Sequence, residues 1–190
     1  MILGFLDWYT VFVIMHLIGV TLGAGGAFVS DVMFFASVKD KKISYSELRF
    51  LKLGGKVVIV GLCVLVVSGV LLFSLDPARY MESSKFLAKM TIVAVLILNG
   101  VLFHAVHMPM LNRLEANPLP TSAEFFKKSS LFVASGAISL VSWLFALSLG
   151  AISSIPYPYW MIMAVYAACA AGAVAGVIML KKRWFFLTKR

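Results

Sequence analysis

The chain reads as an all-α integral membrane bundle of five transmembrane helices, with its amino terminus outside and its carboxy terminus in the cytoplasm. Three observations lead there. Of its 190 residues 62% are hydrophobic, against ~45–50% in a typical soluble domain, and the mean hydropathy is +0.98. Five apolar stretches reach the ~20 residues that a membrane-spanning helix needs. The basic residues fall almost entirely on one side of those stretches.

The predicted spans lie at about 8–38, 57–75, 86–108, 129–152 and 157–180. Within lipid every backbone polar group must be satisfied inside its own segment, so helices are expected. The runs are continuous rather than alternating, which excludes the pattern of a transmembrane β-barrel. The residues from Met1 to Asp7 carry no basic cluster of the kind that opens a secretory signal, so they are read as the start of the first helix. Between spans one and two, Asp40 to Leu53 reads as a short amphipathic helix lying on the cytoplasmic surface. Asp76-Pro77 and Asn117-Pro118-Leu119-Pro120 are stop signals. Trp8, Tyr9, Tyr80, Tyr157, Tyr159, Trp160 and Trp184 fall at span ends, as an interfacial aromatic belt does. The connections are short, so residues 1–190 form a single membrane domain.

Charge sets the orientation. Six basic residues lie in the first loop, three in the third and five in the tail. These fourteen stand on one side against Arg79, Lys85 and Lys89 on the other. The positive-inside rule puts the fourteen in the cytoplasm of a bacterial-type inner membrane. A formal charge of +9 is then a matter of topology and anionic headgroups. Nucleic acid is not expected as a partner, since there is no phosphate-cradling glycine loop and no aromatic-basic face. Cys63 and Cys169 sit within apolar runs and read as small buried hydrophobes.

Ionisable groups at membrane depth are costly and therefore point to function. His16 lies in the first span, His104 and His107 in the third. On the first span His16, Gly19, Gly23, Gly26 and Ser30 share a face. That face serves either close helix packing or a flat groove beside a planar ligand. On the third span Gly100, His104, His107 and Met108 fall within a sector of about 100°. Two imidazoles and a thioether there form a candidate copper set; the alternative is a hydrated interfacial pair. Asp31, Asn99 and Lys89 are the supporting polar residues within the spans. At about 1.5 Å per residue, Asp31 and His104 both lie about 12–14 Å from the cytoplasmic basic residues, so they can meet. His16 and Lys89 lie about 34 and 36 Å away on the same count, near the outer face. Two axial ligands of one iron stand only about 4 Å apart, so His16 and His104 on straight helices would serve separate sites.

On span five, Gly172 and Gly176 make a GxxxG pair. It suits packing within the bundle, or a homodimer through that face. Ser135, Ser139 and Ser142 with Gly136 on span four read as hydrogen-bonding contacts between helices.

The stretch His16-Leu17-Ile18-Gly19-Val20 running to Gly25-Gly26-Ala27-Phe28 resembles the opening helix of the HemJ-like protoporphyrinogen oxidases and of the CopD-like copper-resistance proteins. Lys89 through Asn99 to Pro109-Met110-Leu111 is similar to their third helix. The resemblance covers two of five spans. It implies a histidine-bearing bundle that binds haem b or copper, with His16 and His104 as ligands and Lys89 as a polar partner. Asp31 and the His-x-x-His pair have no counterpart in that pattern.

The favoured expectation is therefore a haem b protein, or alternatively a copper protein, with a redox or electron-transfer role, a membrane oxidoreductase in its enzymatic form. The cofactor would be held by His16, His104 and His107, with Gly19, Gly23 and Gly100 giving room and Met108 as a further metal ligand. Its partners would be the lipid bilayer and a quinone or another redox protein. The alternatives are a small transporter or channel using Asp31 and the histidines, or a structural membrane subunit.

Overall fold

The computed structural model describes residues 7–39, 44–109 and 123–187. In chain order the elements are α1 (Trp8–Lys39), α2 (Tyr45–Leu75), α3 (Pro77–Met81), α4 (Ser84–Leu102), α5 (Ala123–Ala151) and α6 (Tyr159–Leu187). Phe103–His107 continues α4 as one π-helical turn. No strand occurs among the described residues, and five helices are long and apolar enough to cross a membrane. Their outward surface is hydrocarbon. Leu17, Phe28, Val70, Leu98, Leu144 and Met179 are all more than half exposed, which is expected only where lipid is the solvent.

The ends of these helices follow from local chemistry. The Asp7 carboxylate accepts the Thr10 amide at 2.8 Å. Hydrogen bonds from Thr10 hold that carboxyl below the usual aspartate range. Ser44 and Glu47 form a reciprocal capping box at the start of α2. Asp76 closes α2 and caps α3, with Pro77 at the first helical position.

That capping box corrects one expectation. The segment up to Leu53 is not a separate surface helix: from Tyr45 it is the first part of α2, while Asp40–Ile43 lie outside the described residues. Leu48 and Leu51 are buried against Phe34, Phe132 and Val133. Gly54 and Gly55 do not break the helix, because their missing side chains admit Ser30 and the Phe103 ring.

α1 and α2 form an antiparallel hairpin with their backbones in contact. A methyl group on Gly19 would come within 2.6 Å of the Leu65 amide nitrogen. One on Gly61 would overlap the Gly23 backbone and lie 2.9 Å from the Gly19 carbonyl oxygen. Lipid tails are as apolar as leucine, so association here rests on dispersion at close approach, which only glycine permits. α4 packs on α5, α5 on α6, and α1 also meets α5. Ala27, Leu65, Val93, Leu96 and Trp143 form the central core, where α1, α2, α4 and α5 converge. Ser142, fully buried, donates to the Ile138 carbonyl at 2.6 Å and accepts from the Tyr166 hydroxyl at 2.8 Å, tying α5 to α6.

Two further expectations change. Cys63 and Cys169 are free thiols on the exposed surface, not between helices. Gly172 and Gly176 have nothing within 4 Å of where a side chain would begin, so that GxxxG pair is not a packing contact within the bundle.

If the α1–α2 contact holds the bundle together, Gly61→Ala should lower stability by about 1–3 kcal/mol through overpacking. Gly25→Ala, where the space is open, should hold or raise it. Thermal unfolding of the two variants in the same detergent separates these outcomes.

Candidate functional site

Two polar zones lie along the bundle, one on each side of the central core. The first is near the end where α1 begins. His16 on α1, Ser68 on α2 and Lys89 on α4 converge there. The His16 Nδ1 stands 3.1 Å from Ser68 Oγ, and its Nε2 stands 3.3 Å from Lys89 Nζ. The tautomer follows from the neighbours. The Ser68 hydroxyl has one proton, which goes back to the Val64 carbonyl at 2.6 Å. Ser68 must therefore accept from His16 Nδ1–H, which leaves Nε2 with the lone pair that accepts from Lys89. Serine bonding to a carbonyl one turn back is a common way to satisfy a hydroxyl within a helix. Here it also fixes an imidazole on the neighbouring helix. Gly69 lies against the ring's Cε1 and Gly150 beside Lys89 Nζ.

The second zone is a cavity of about 80 Å³ between α1, α2, α4 and α5. Asp31, Asn99, His104, His107, Ser135 and Ser139 contribute its polar lining, and Trp143 and Phe103 its aromatic walls. Asn99 donates from Nδ2 to the Ser135 carbonyl at 3.1 Å. Among the described residues, three buried polar atoms have no hydrogen-bond partner: Asp31 Oδ2, His107 Nε2 and Trp143 Nε1. All three belong to residues that line this one cavity. Buried polar groups without partners are few in folded proteins, and three around one space mark a place made for water or for a polar solute.

The two histidines of the third span both line the cavity but differ in exposure. They lie in the π-helical turn, closed by the Met108 amide on the Phe103 carbonyl, which is wider than an α-turn. His107 is 1% exposed, with Phe103 on one side and Phe132 at a ring distance of 4.5 Å on the other. His104 is exposed, and its Nδ1 donates to the Gly100 carbonyl at 3.3 Å. The two imidazoles thus share a cavity wall with Gly100 while only His107 is buried. π-turns of this kind are rare and recur at functional sites.

The room beside Gly19 is occupied by the α2 backbone, and that beside Gly23 by the six-membered edge of Trp143. Gly100 has only Leu62 near it, and Met108 is half-buried at the end of the π-turn. Between the zones lie Val20, Ala24 and Ala27 on α1, Leu65 and Leu62 on α2, Val93 and Leu96 on α4, and Trp143 on α5. His16 and Asp31 are fifteen residues apart on one unbroken helix, about 22 Å along its axis.

As packed, His16 and His104 do not offer a pair of axial ligands to one haem b. Both nitrogens of His16 are engaged by Ser68 and Lys89, and His16 and His104 belong to different zones. Among the described residues, no group of three His, Cys, Asp or Glu side chains could hold a metal ion. A space of about 80 Å³ is well short of the ~300–1,000 Å³ typical of pockets for drug-sized ligands, and a porphyrin is at least as large.

Ser68 was missed in the sequence, although it is a lone hydroxyl in the middle of the second span. Trp143 was missed too, although of four tryptophans it alone stands far from a span end. No family model, curated protein or solved structure matches the chain.

Ser68→Ala should release the His16 Nδ1 proton from its acceptor. Nitrogen-15 spectra of His16 in nanodiscs should then move from a pure Nδ1–H pattern toward a tautomer mixture, with a stability loss of about 1 kcal/mol. An unchanged imidazole spectrum would contradict the assigned network.

Proposed function

We propose that this protein is a small membrane carrier whose substrate site is the Asp31 cavity. The observation that carries this reading is the convergence of Asp31 Oδ2, His107 Nε2 and Trp143 Nε1, all buried and all without protein partners, on one space. Their chemistry sets the class of solute. The Asp31 carboxylate, placed against Gly136 so closely that a methyl there would meet Oδ1 at 2.9 Å, accepts hydrogen bonds and favours positive charge. Trp143 Nε1–H donates, and His107 Nε2 donates or accepts according to its tautomer. The complement is a small cation or amine that carries its own N–H groups, or a hydrated proton.

An intramembrane aspartate inside a bundle is a common element of ion and proton pathways. The site also has a closed side and a side nearer the surface. The apolar layer with Trp143 seals it from the His16 zone, whereas His104 lines the cavity and is itself exposed. In the orientation proposed from the basic residues, the cavity faces the cytoplasmic half. Transport would then require the Trp143 layer to part.

Uptake of radiolabelled methylammonium into proteoliposomes, together with proton flux reported by an entrapped pH dye, tests this. Wild type should carry one of the two, and Asp31→Asn should reduce that flux at least tenfold while the protein unfolds at a similar temperature. Flux in Asp31→Asn equal to wild type would remove the reading, as would no flux of either in wild type.

A further inference from the structure

The zone around Lys89 belongs to neither the cavity nor the proposed carrier path, and it holds an electrostatic imbalance. Lys89 is five residues into α4, within a membrane-spanning segment, and half-buried. One ammonium proton goes to His16 Nε2 at 3.3 Å, leaving two donors. The acids near that end of the bundle are Asp7, Asp76 and Glu82. Asp7 and Asp76 accept capping amides from Thr10 and Arg79, and among the described residues no carboxylate pairs with Lys89. Of the remaining acids that flank the spans, Glu47 caps α2 at the opposite end of the bundle.

Lys85 adds a second cation one turn away on the same face of α4. Its ammonium is held by the carbonyl oxygens of Ile152 at 2.7 Å and Ser153 at 3.2 Å. Like charges four residues apart on a helix repel, so this pair is set together at a cost that a shared anion would offset. Gly150 lies beside the ammonium without a side chain: a methyl built there would stand 3.7 Å from Lys89 Nζ, an ordinary contact. His16 completes the arrangement. With Nδ1–H held by Ser68, its lone pair keeps Lys89 in place as a donor.

We infer that Lys89, steadied by His16 and assisted by Lys85, is a binding site for an oxyanion, a carboxylate or a phosphate, at the end of the bundle where α1 begins. Lys89 supplies the direct charge-assisted hydrogen bonds. His16 is a positioning residue, acting through Lys89. The anion has two sources, a small solute or the phosphate of a lipid headgroup in the adjoining leaflet.

The test uses full-length wild type in nanodiscs of phosphatidylcholine alone. Sodium phosphate and sodium acetate are titrated separately, with sodium chloride at equal ionic strength as the reference. The readouts are the nitrogen-15 shifts of the Lys89 ammonium and the His16 ring, and the Tm. A saturable shift with a Tm rise of about 3 °C or more beyond chloride establishes the site for a free oxyanion. The same changes only when phosphatidylglycerol replaces part of the lipid, with no added anion, establish a headgroup site. Lys89→Met should abolish either response and Lys89→Arg retain it. If Lys89→Met does not fold, the wild-type titration still decides. Responses no larger than those to chloride in both lipid settings would overturn the inference. So would a response that persists unchanged in Lys89→Met. Methylammonium and proton fluxes in Asp31→Asn report on the cavity independently.

Discussion

The backbone contact between α1 and α2 is the constraint on which the rest of the arrangement depends. Nothing in a bilayer squeezes two apolar helices together as water does, so they must gain from proximity itself. Gly19, Gly23 and Gly61 bring the two backbones into direct contact. That proximity has three consequences. It sets Ser68 against His16. It opens a notch at Gly23 that the edge of Trp143 fills. It also brings Ser30 onto Gly54, which fixes the height of Asp31 relative to α2.

From that contact the bundle acquires layers. Polar residues gather at His16, Ser68 and Lys89, then an apolar layer follows, then polar residues gather again at Asp31, Asn99 and His107. The two polar zones differ in how their needs are met. In the first, the ring nitrogens and the hydroxyl all have partners, and the imbalance is one of charge. In the second, hydrogen-bond capacity is left open at three buried atoms. In a medium of low dielectric, open capacity of that kind is costly, and it persists only where something supplies the missing partners or where function requires the group.

Much of this was legible in the sequence. Rise per residue places His16 and Lys89 at one depth and Asp31 and His104 at another, and each pair does share a zone. Apolar runs locate all five spans, because length and composition alone decide whether a segment can cross a bilayer. Errors arose where an outcome depends on a neighbour. Asp40 to Leu53 looks amphipathic, yet from Tyr45 it continues into α2, because Phe34, Phe132 and Val133 cover Leu48 and Leu51. Gly172 and Gly176 have the spacing of a packing motif and meet nothing.

By itself, the sequence determined that the chain has five helices able to cross a membrane and that His16 and Lys89 share one level and Asp31 and His104 another, because hydropathy and helical rise are properties of a segment alone. Only tertiary structure decided which of those residues touch. It alone engaged both nitrogens of His16, buried His107 while leaving His104 exposed, and gathered the unmet groups of Asp31, His107 and Trp143 around one space. Such outcomes depend on how helices rotate about their axes and which neighbour each one takes, and in lipid those choices are made by close packing of small residues rather than by any pattern along the chain.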